Sequence, residues 1–219
     1  GCANHCSLTI NTFDGGRRFI GGNRCEKPTS KGRNTVRLSL YDYKRQLLAA
    51  YVPRPGRRGK LGIPMGLNLF ELLPFFHRFF TELGFEVVQS PVSSRNTYLL
   101  GQSTISSDTV CYPAKLMHGH VQALIDSGVE TIFYPCLTYN MDEHKGTNHY
   151  NCPVVAYYPE VIRVNMPDVR KIRFLCDYLC IHDPKQFVRG MAACLGPHYP
   201  DITKGQLKAA AKAAYGEYQ

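Results

Sequence analysis

The chain has 219 residues, 44% hydrophobic and 20% charged, which suits a soluble globular protein with one medium domain and a small appendage. No apolar run reaches the roughly 18 residues of a membrane span, and no charged-then-apolar leader opens the chain. A membrane protein and a secreted one are therefore not expected, and a cytoplasmic setting is. The net charge of +9 is uneven: residues 1–60 hold 13 Lys and Arg against the acids Asp14, Glu26 and Asp42, whereas residues 61–219 hold 13 against 14. That basic quarter reads as a solvated surface or linker, or as a face for an acidic partner. No RNA-binding signature accompanies it, so nucleic acid is not expected. A first residue of Gly1 predicts a processed chain or a piece of a longer one.

Residues 1–35 read as a Cys-rich module and linker. "CSLTINTF" and "RRFIGG" are strand-like runs joined by the turn "DGG", which predicts a hairpin; "PTSKGRNT" is a breaker-rich linker. Residues 36–59 carry a helix, with Leu40, Tyr43, Leu47 and Tyr51 at helical spacing, and then the basic linker "PRPGRRGK". From 60 to 219 the pattern is α/β. "KLGIPM" predicts a strand, and "NLFELLPFFHRFFTELG" an apolar helix with Asn68 as N-cap, Gly84 beyond its end and a kink or late start at Pro74. "FEVVQSP" is the next strand. A helix runs from about Pro113 to Gly128, and "VETIFYPCL" is a buried strand. A polar loop follows over 138–151. "CPVVAYYPEVI" is expected to be a strand that runs on into a helix, "KIRFLCDYLCI" a strand or mixed element, and residues 184–195 and 203–218 two closing helices. The alternation predicts a doubly wound, mainly parallel sheet with flanking helices, whose sites lie at the carboxyl ends of the strands.

Nine cysteines in a chain with no leader point to a reducing interior and to metal or cluster ligation rather than disulfides. Cys111 stands in the loop before a helix, where free backbone N–H groups favour a thiolate. Cys136 follows an apolar strand and should share that edge. Cys152 opens "CPVV"; as the start of a parallel strand it would lie at the opposite edge, unless the loop brings it back. Cys176, Cys180 and Cys194 lie in apolar context and read as core. Cys2, Cys6 and Cys25 are spaced like a zinc-ribbon or cluster knuckle. His5 or a residue upstream would supply a fourth ligand. Lys115 and His118 read as solvated helix residues or as a source of charge near the cleft, and His120 as core.

"GIPMGLNLFELLPFFHRFFTELGFEVVQSP", "CYPAKLMHGHV", "IFYPC" and "NCPVVAYYPEVI" resemble the uncharacterised domain of large CoA-substrate-specific enzyme activases of anaerobic microbes, and "CANHCSLT…GNRCEK" resembles the Cys-rich segment before it. The resemblance implies kinship with the iron–sulfur subunits of 2-hydroxyacyl-CoA dehydratases, benzoyl-CoA reductases and double-cubane cluster proteins. By that kinship Cys111 and Cys136 match cluster-ligand positions, while Cys152 falls in a motif of the activase branch.

The resemblance further implies a 4Fe-4S or double-cubane cluster and an ATP-hydrolysing, actin-like activator domain or subunit as partner, along with the rest of the same long chain. It leaves a homodimer open. The function expected is low-potential electron transfer to a reductase or CoA-thioester dehydratase, with no activity for this piece alone. The competing expectation is a non-catalytic docking scaffold with structural zinc at Cys2, Cys6 and Cys25. A Cys-dependent hydrolase is the third reading; no nucleophile-elbow or phosphate-loop motif supports it.

Overall fold

The computed structural model describes residues 5–29 and 39–219. Cys2 and most of the predicted linker at 28–35 lie outside the described residues. The chain divides into a small unit that ends at Tyr43 and a larger one from Lys44 to Gln219, with the boundary inside helix α1 (Leu40–Ala49).

In the small unit, β1 (Thr9–Thr12) and β2 (Arg18–Gly21) form the expected antiparallel hairpin, with Thr9 opposite Gly21 and Thr12 opposite Arg18. The turn at Asp14–Gly16 needs its glycines: Gly15 and Gly16 hold φ of 80° and 76°, in the left-handed region where a Cβ is costly.

The larger unit is built on four parallel strands: β3 (Lys60–Ile63), β4 (Glu86–Gln89), β5 (Thr131–Phe133) and β6 (Arg173–Leu175). Their order is β4-β3-β5-β6. The chain moves outward from β3 to β4 and then crosses back to β5, so the winding reverses between β3 and β5. Open parallel sheets bind ligands at such a reversal, outside the carboxyl ends of the strands.

One face of the sheet is covered by aromatic packing. The predicted apolar helix breaks at Leu72 into α2 (Asn68–Glu71) and α3 (Leu73–Glu82), with Pro74 in the first turn of α3, where its missing N–H costs nothing. Asn68 is not the cap. Leu67 precedes the helix at φ 50°, ψ −136°, and Asn68 is the first helical residue. Phe76 and Phe80 meet Phe133 edge to face at 4.9 and 4.7 Å, and Phe75 meets Phe187 at 5.1 Å. Phe187 belongs to α7 (Pro184–Leu195); α8 (Lys204–Tyr218) packs against both α3 and α7.

On the other face lies α5 (Tyr112–Asp126), whose Leu124 sits over Gly62 of β3. The helix α4 (Arg95–Gly101), which the sequence reading did not anticipate, crosses α5. It starts with a capping box in which Ser94 and Thr97 bond reciprocally.

"CPVVAYYPEVI" is not a strand but helix α6 (Pro153–Asn165). Its Val and Tyr content suggests a strand, yet Ala156, Pro159 and Ile162 are buried at helical spacing. Pro153 occupies the first helical position, where a proline is at home.

Candidate functional site

Three of the predicted cysteines lie along the carboxyl edge of the sheet. Cys111 is the N-cap of α5 and Cys152 the N-cap of α6. The two caps have nearly the same backbone, φ −60°, ψ 148° and φ −62°, ψ 152°. Each is followed by a proline within the first helical turn, and neither side chain bonds the helix start. Both thiols are exposed. The first-turn N–H groups of both helices therefore lack a side-chain acceptor, a setting that favours bound negative charge.

The expected difficulty with Cys152 disappears because it opens a helix. The loop 138–151 leaves the end of β5 and returns to it. Asn140 N–H donates to His149 O at 2.8 Å and Asn151 N–H to Thr138 O at 3.0 Å, while Asn151 Nδ2 donates to Leu137 O at 2.8 Å. Cys152 is thus delivered beside the residue that follows Cys136.

Cys136 differs from the other two. It is fully buried, its N–H donates to Asp177 O at 3.0 Å, and its carbonyl accepts from Leu179 N–H at 3.1 Å. Burial pushes its thiol up to about 12, with the nearby Cys176 and Glu160 adding to the rise. Among the described residues, no three His, Cys, Asp or Glu side chains gather closely enough to hold a metal ion. The donor chemistry suits a thiophilic metal or cluster at Cys111 and Cys152. Cys136 shares their edge, but among the described side chains the three thiols do not converge on one point; desolvation and neighbouring negative groups, which raise its pKa, are what a bound cation would offset.

A buried polar network underlies this edge. Thr104 Oγ1 lies 2.8 Å from His118 Nδ1, and His118 Nε2 lies 3.0 Å from the Tyr158 hydroxyl on α6. The Tyr134 hydroxyl, just beyond β5, is fully buried and has no hydrogen-bond partner. Burial first, and then the negative charge that Tyr158, Cys136 and Cys111 would carry, raise its pKa, which places the hydroxyl within electrostatic reach of both cysteines. A buried hydroxyl without an acceptor costs about 1 kcal/mol or more. Tyr134→Phe should therefore raise the melting temperature of the metal-free protein by roughly 2–4 °C. A fall in a thermal scan would show that the hydroxyl is already satisfied.

His118 is not the solvated residue its spacing suggests: it and His120 are both fully buried. His120 lies 2.8 Å from Ser90 Oγ and 2.9 Å from Ser93 Oγ, in keeping with the core role expected of it. Burial lowers both histidines to about 4, so neither supplies charge at neutral pH. The unfolded chain takes up these protons near 6.5, and the folded one only near 4. Stability should hold above pH 6.5 and fall between 6.5 and 4, by about 3 kcal/mol per histidine. Asp142, Asp168 and Asp183 are lowered below the usual carboxylate range by hydrogen bonds, so their contribution is lost below that window. Melting temperature against pH checks this, with His120→Gln flattening the slope between 6.5 and 4.

The remaining residues fall as follows. Lys115 Nζ donates to Asp108 O at 2.7 Å. Cys176 and Cys194 are buried as expected, and burial raises both thiols. Cys180 is not core: it is partly exposed, with its sulfur 3.4 Å from His182 Nδ1. No period in "CDYLCIHD" could have shown this, because the segment is a βα loop. In the small unit, Cys6 is half-buried and Cys25 exposed, both free thiols. Just outside the paired residues the two chains stay close, since a Cβ on Gly22 would meet Ser7 O at 2.3 Å. Cys6 and Cys25 therefore flank the hairpin on the side away from its turn.

A family model for the CoA enzyme activase uncharacterised domain matches residues 60–219. The chain belongs to that family. Neither a curated protein nor a solved structure matches the sequence. The activase domain thus coincides with the parallel sheet and its helices, including all three edge cysteines. No helix among the described residues is long and apolar enough to cross a membrane.

Proposed function

We propose that the activase domain holds an iron–sulfur cluster at the carboxyl edge of its sheet and takes part in ATP-driven, low-potential electron transfer to a reductase or CoA-thioester dehydratase. Cys111, Cys136 and Cys152 are the thiolate ligands in this reading. The observation that carries it is the pair of matched cysteine N-caps, exposed on the same edge as Cys136. When bound, a cluster of 4Fe-4S or double-cubane type supplies one-electron redox chemistry. The chain's own residues then have defined tasks. The starts of α5 and α6 offer N–H donors to negative sulfur. The Tyr134 hydroxyl is free to donate a hydrogen bond toward that edge, and the His118–Tyr158 pair fixes α5 against α6. The partner in this reading is an ATP-hydrolysing, actin-like activator domain or subunit.

In the same reading the cysteines of the small unit hold a second metal. Cys6 and Cys25, flanking the hairpin away from its turn, form with Cys2 a candidate zinc or cluster knuckle. If zinc alone is bound there, the domain is a docking scaffold rather than an electron carrier. Anaerobic purification of the 219-residue chain with iron, sulfide and zinc analysis tests both readings. The electron-transfer reading expects iron and acid-labile sulfide in near-equal amounts, with broad visible absorption that bleaches on reduction. Zinc without such absorption, after reconstitution with iron and sulfide, rules it out.

A further inference from the structure

Helices α7 and α8 enclose a groove of about 850 Å³ that the cysteine edge does not use. Its floor is apolar: Val188, Ala192 and Leu195 from α7, Leu207, Ala211 and Tyr215 from α8. Its rims are cationic. On α7, Lys185 and Arg189 stand one turn apart, and on α8, Lys204, Lys208 and Lys212 repeat every four residues, so each set forms a row along its helix. No Asp or Glu lines the groove. All five cations are exposed, and none has an ion-pair partner among the described residues.

This concentration is not what the region's composition leads one to expect. Residues 61–219 carry 13 Lys and Arg against 14 acids, yet five of the cations and none of the acids border this one groove. A solvated helix pair would show mixed charge. Two basic rows flanking an apolar floor instead match a third helix: its apolar stripe would meet Val188, Ala192, Ala211 and Tyr215, and acids on either side of that stripe would meet the two rows. A second copy of the chain fits poorly, because two-fold pairing through this face would set lysine rows against lysine rows.

We propose that the α7–α8 groove is the docking site for an amphipathic helix with acidic flanks, supplied by a partner protein. The three lysines of α8 span about 12 Å, so the contact covers roughly two to three turns of that helix. Binding is salt-sensitive, since the charged rows are exposed.

The test uses the 219-residue protein, isotope-labelled, and an 18-residue synthetic helical peptide with a Leu/Ala seam flanked by Glu. Amide shifts confined to α7 and α8 are expected on titration. Affinity should fall at least about tenfold for the Lys208→Glu, Lys212→Glu variant and for Lys185→Glu on the opposite rim, and similarly in half-molar salt. All three substituted residues are exposed, and an unchanged melting curve confirms folding. A scrambled peptide of the same composition that binds equally well overturns the proposal. So do shifts located elsewhere, preferential binding of an oligonucleotide, or self-association through this face that excludes the peptide.

Discussion

Replacing Gly119 with alanine should destabilise the protein by about 3 kcal/mol, lowering its melting temperature by roughly 6–12 °C. A Cβ at Gly119 would stand 1.7 Å from the Thr97 carbonyl oxygen and 2.6 Å from its carbon. Those are backbone atoms of α4, so no side-chain rotation relieves the clash, and the two helices must part. Gly101 is the matching position on α4: a Cβ there would meet Gly119 N at 2.2 Å and His118 Cβ at 2.6 Å. Gly101→Ala should therefore act in the same direction. Gly216 is the control. It lies in α8 with nothing within 4 Å of an added Cβ, and Gly216→Ala should stabilise by about 0.5–1 kcal/mol through helix propensity. Thermal unfolding of the three variants decides the matter. If Gly119→Ala melts with the parent, the close crossing of α4 on α5 is wrong.

The second large effect concerns the cysteine edge. After anaerobic reconstitution, Cys111→Ala and Cys152→Ala should each lose most of the bound iron and the visible absorption, while Cys194→Ala keeps both. Cys111 and Cys152 are exposed caps whose removal costs no packing; Cys194 is buried on α7, where its thiol meets the Asp177 carboxylate. Cys136→Ala tests the third ligand. Because that residue is buried, its melting curve must accompany the iron analysis: a small drop in stability with full loss of iron assigns it as a ligand. Equal iron in Cys111→Ala and Cys194→Ala would remove Cys111 from the site.

The sequence was most readable where a single period governs a segment. The α3 run, with Phe75, Phe76, Phe79 and Phe80 inside, and the closing helices α7 and α8 have clear stripes and end where expected. The helix start after Cys111 is legible because Pro113, two residues on, suits the first helical turn. Cys152 was misassigned because Val154, Val155 and Tyr157 favour a strand locally, and only burial at 156, 159 and 162 decides for a helix. The α4 helix was missed since seven residues carry no usable period, and its position depends on Gly101 meeting Gly119 across 18 residues of chain. His118 and Tyr134 could not be assigned in advance for a related reason. Their roles depend on distant partners, or on the lack of one, and neither is written in the neighbouring residues.

The excursion between Leu137 and Asn151 has a consequence for how this protein tolerates change. Its two ends are tied to each other by the bonds from Asn151 to Leu137 and Thr138. Between those ties Met141 packs on the core and Glu143 accepts from the Tyr218 hydroxyl at 3.1 Å, but the exposed tip at 144–147 can lengthen, shorten or alter in composition while the spacing from Cys136 to the start of α6 stays fixed. That tip is the replaceable part of a closed base, free to acquire new contacts without disturbing the thiols on either side of it.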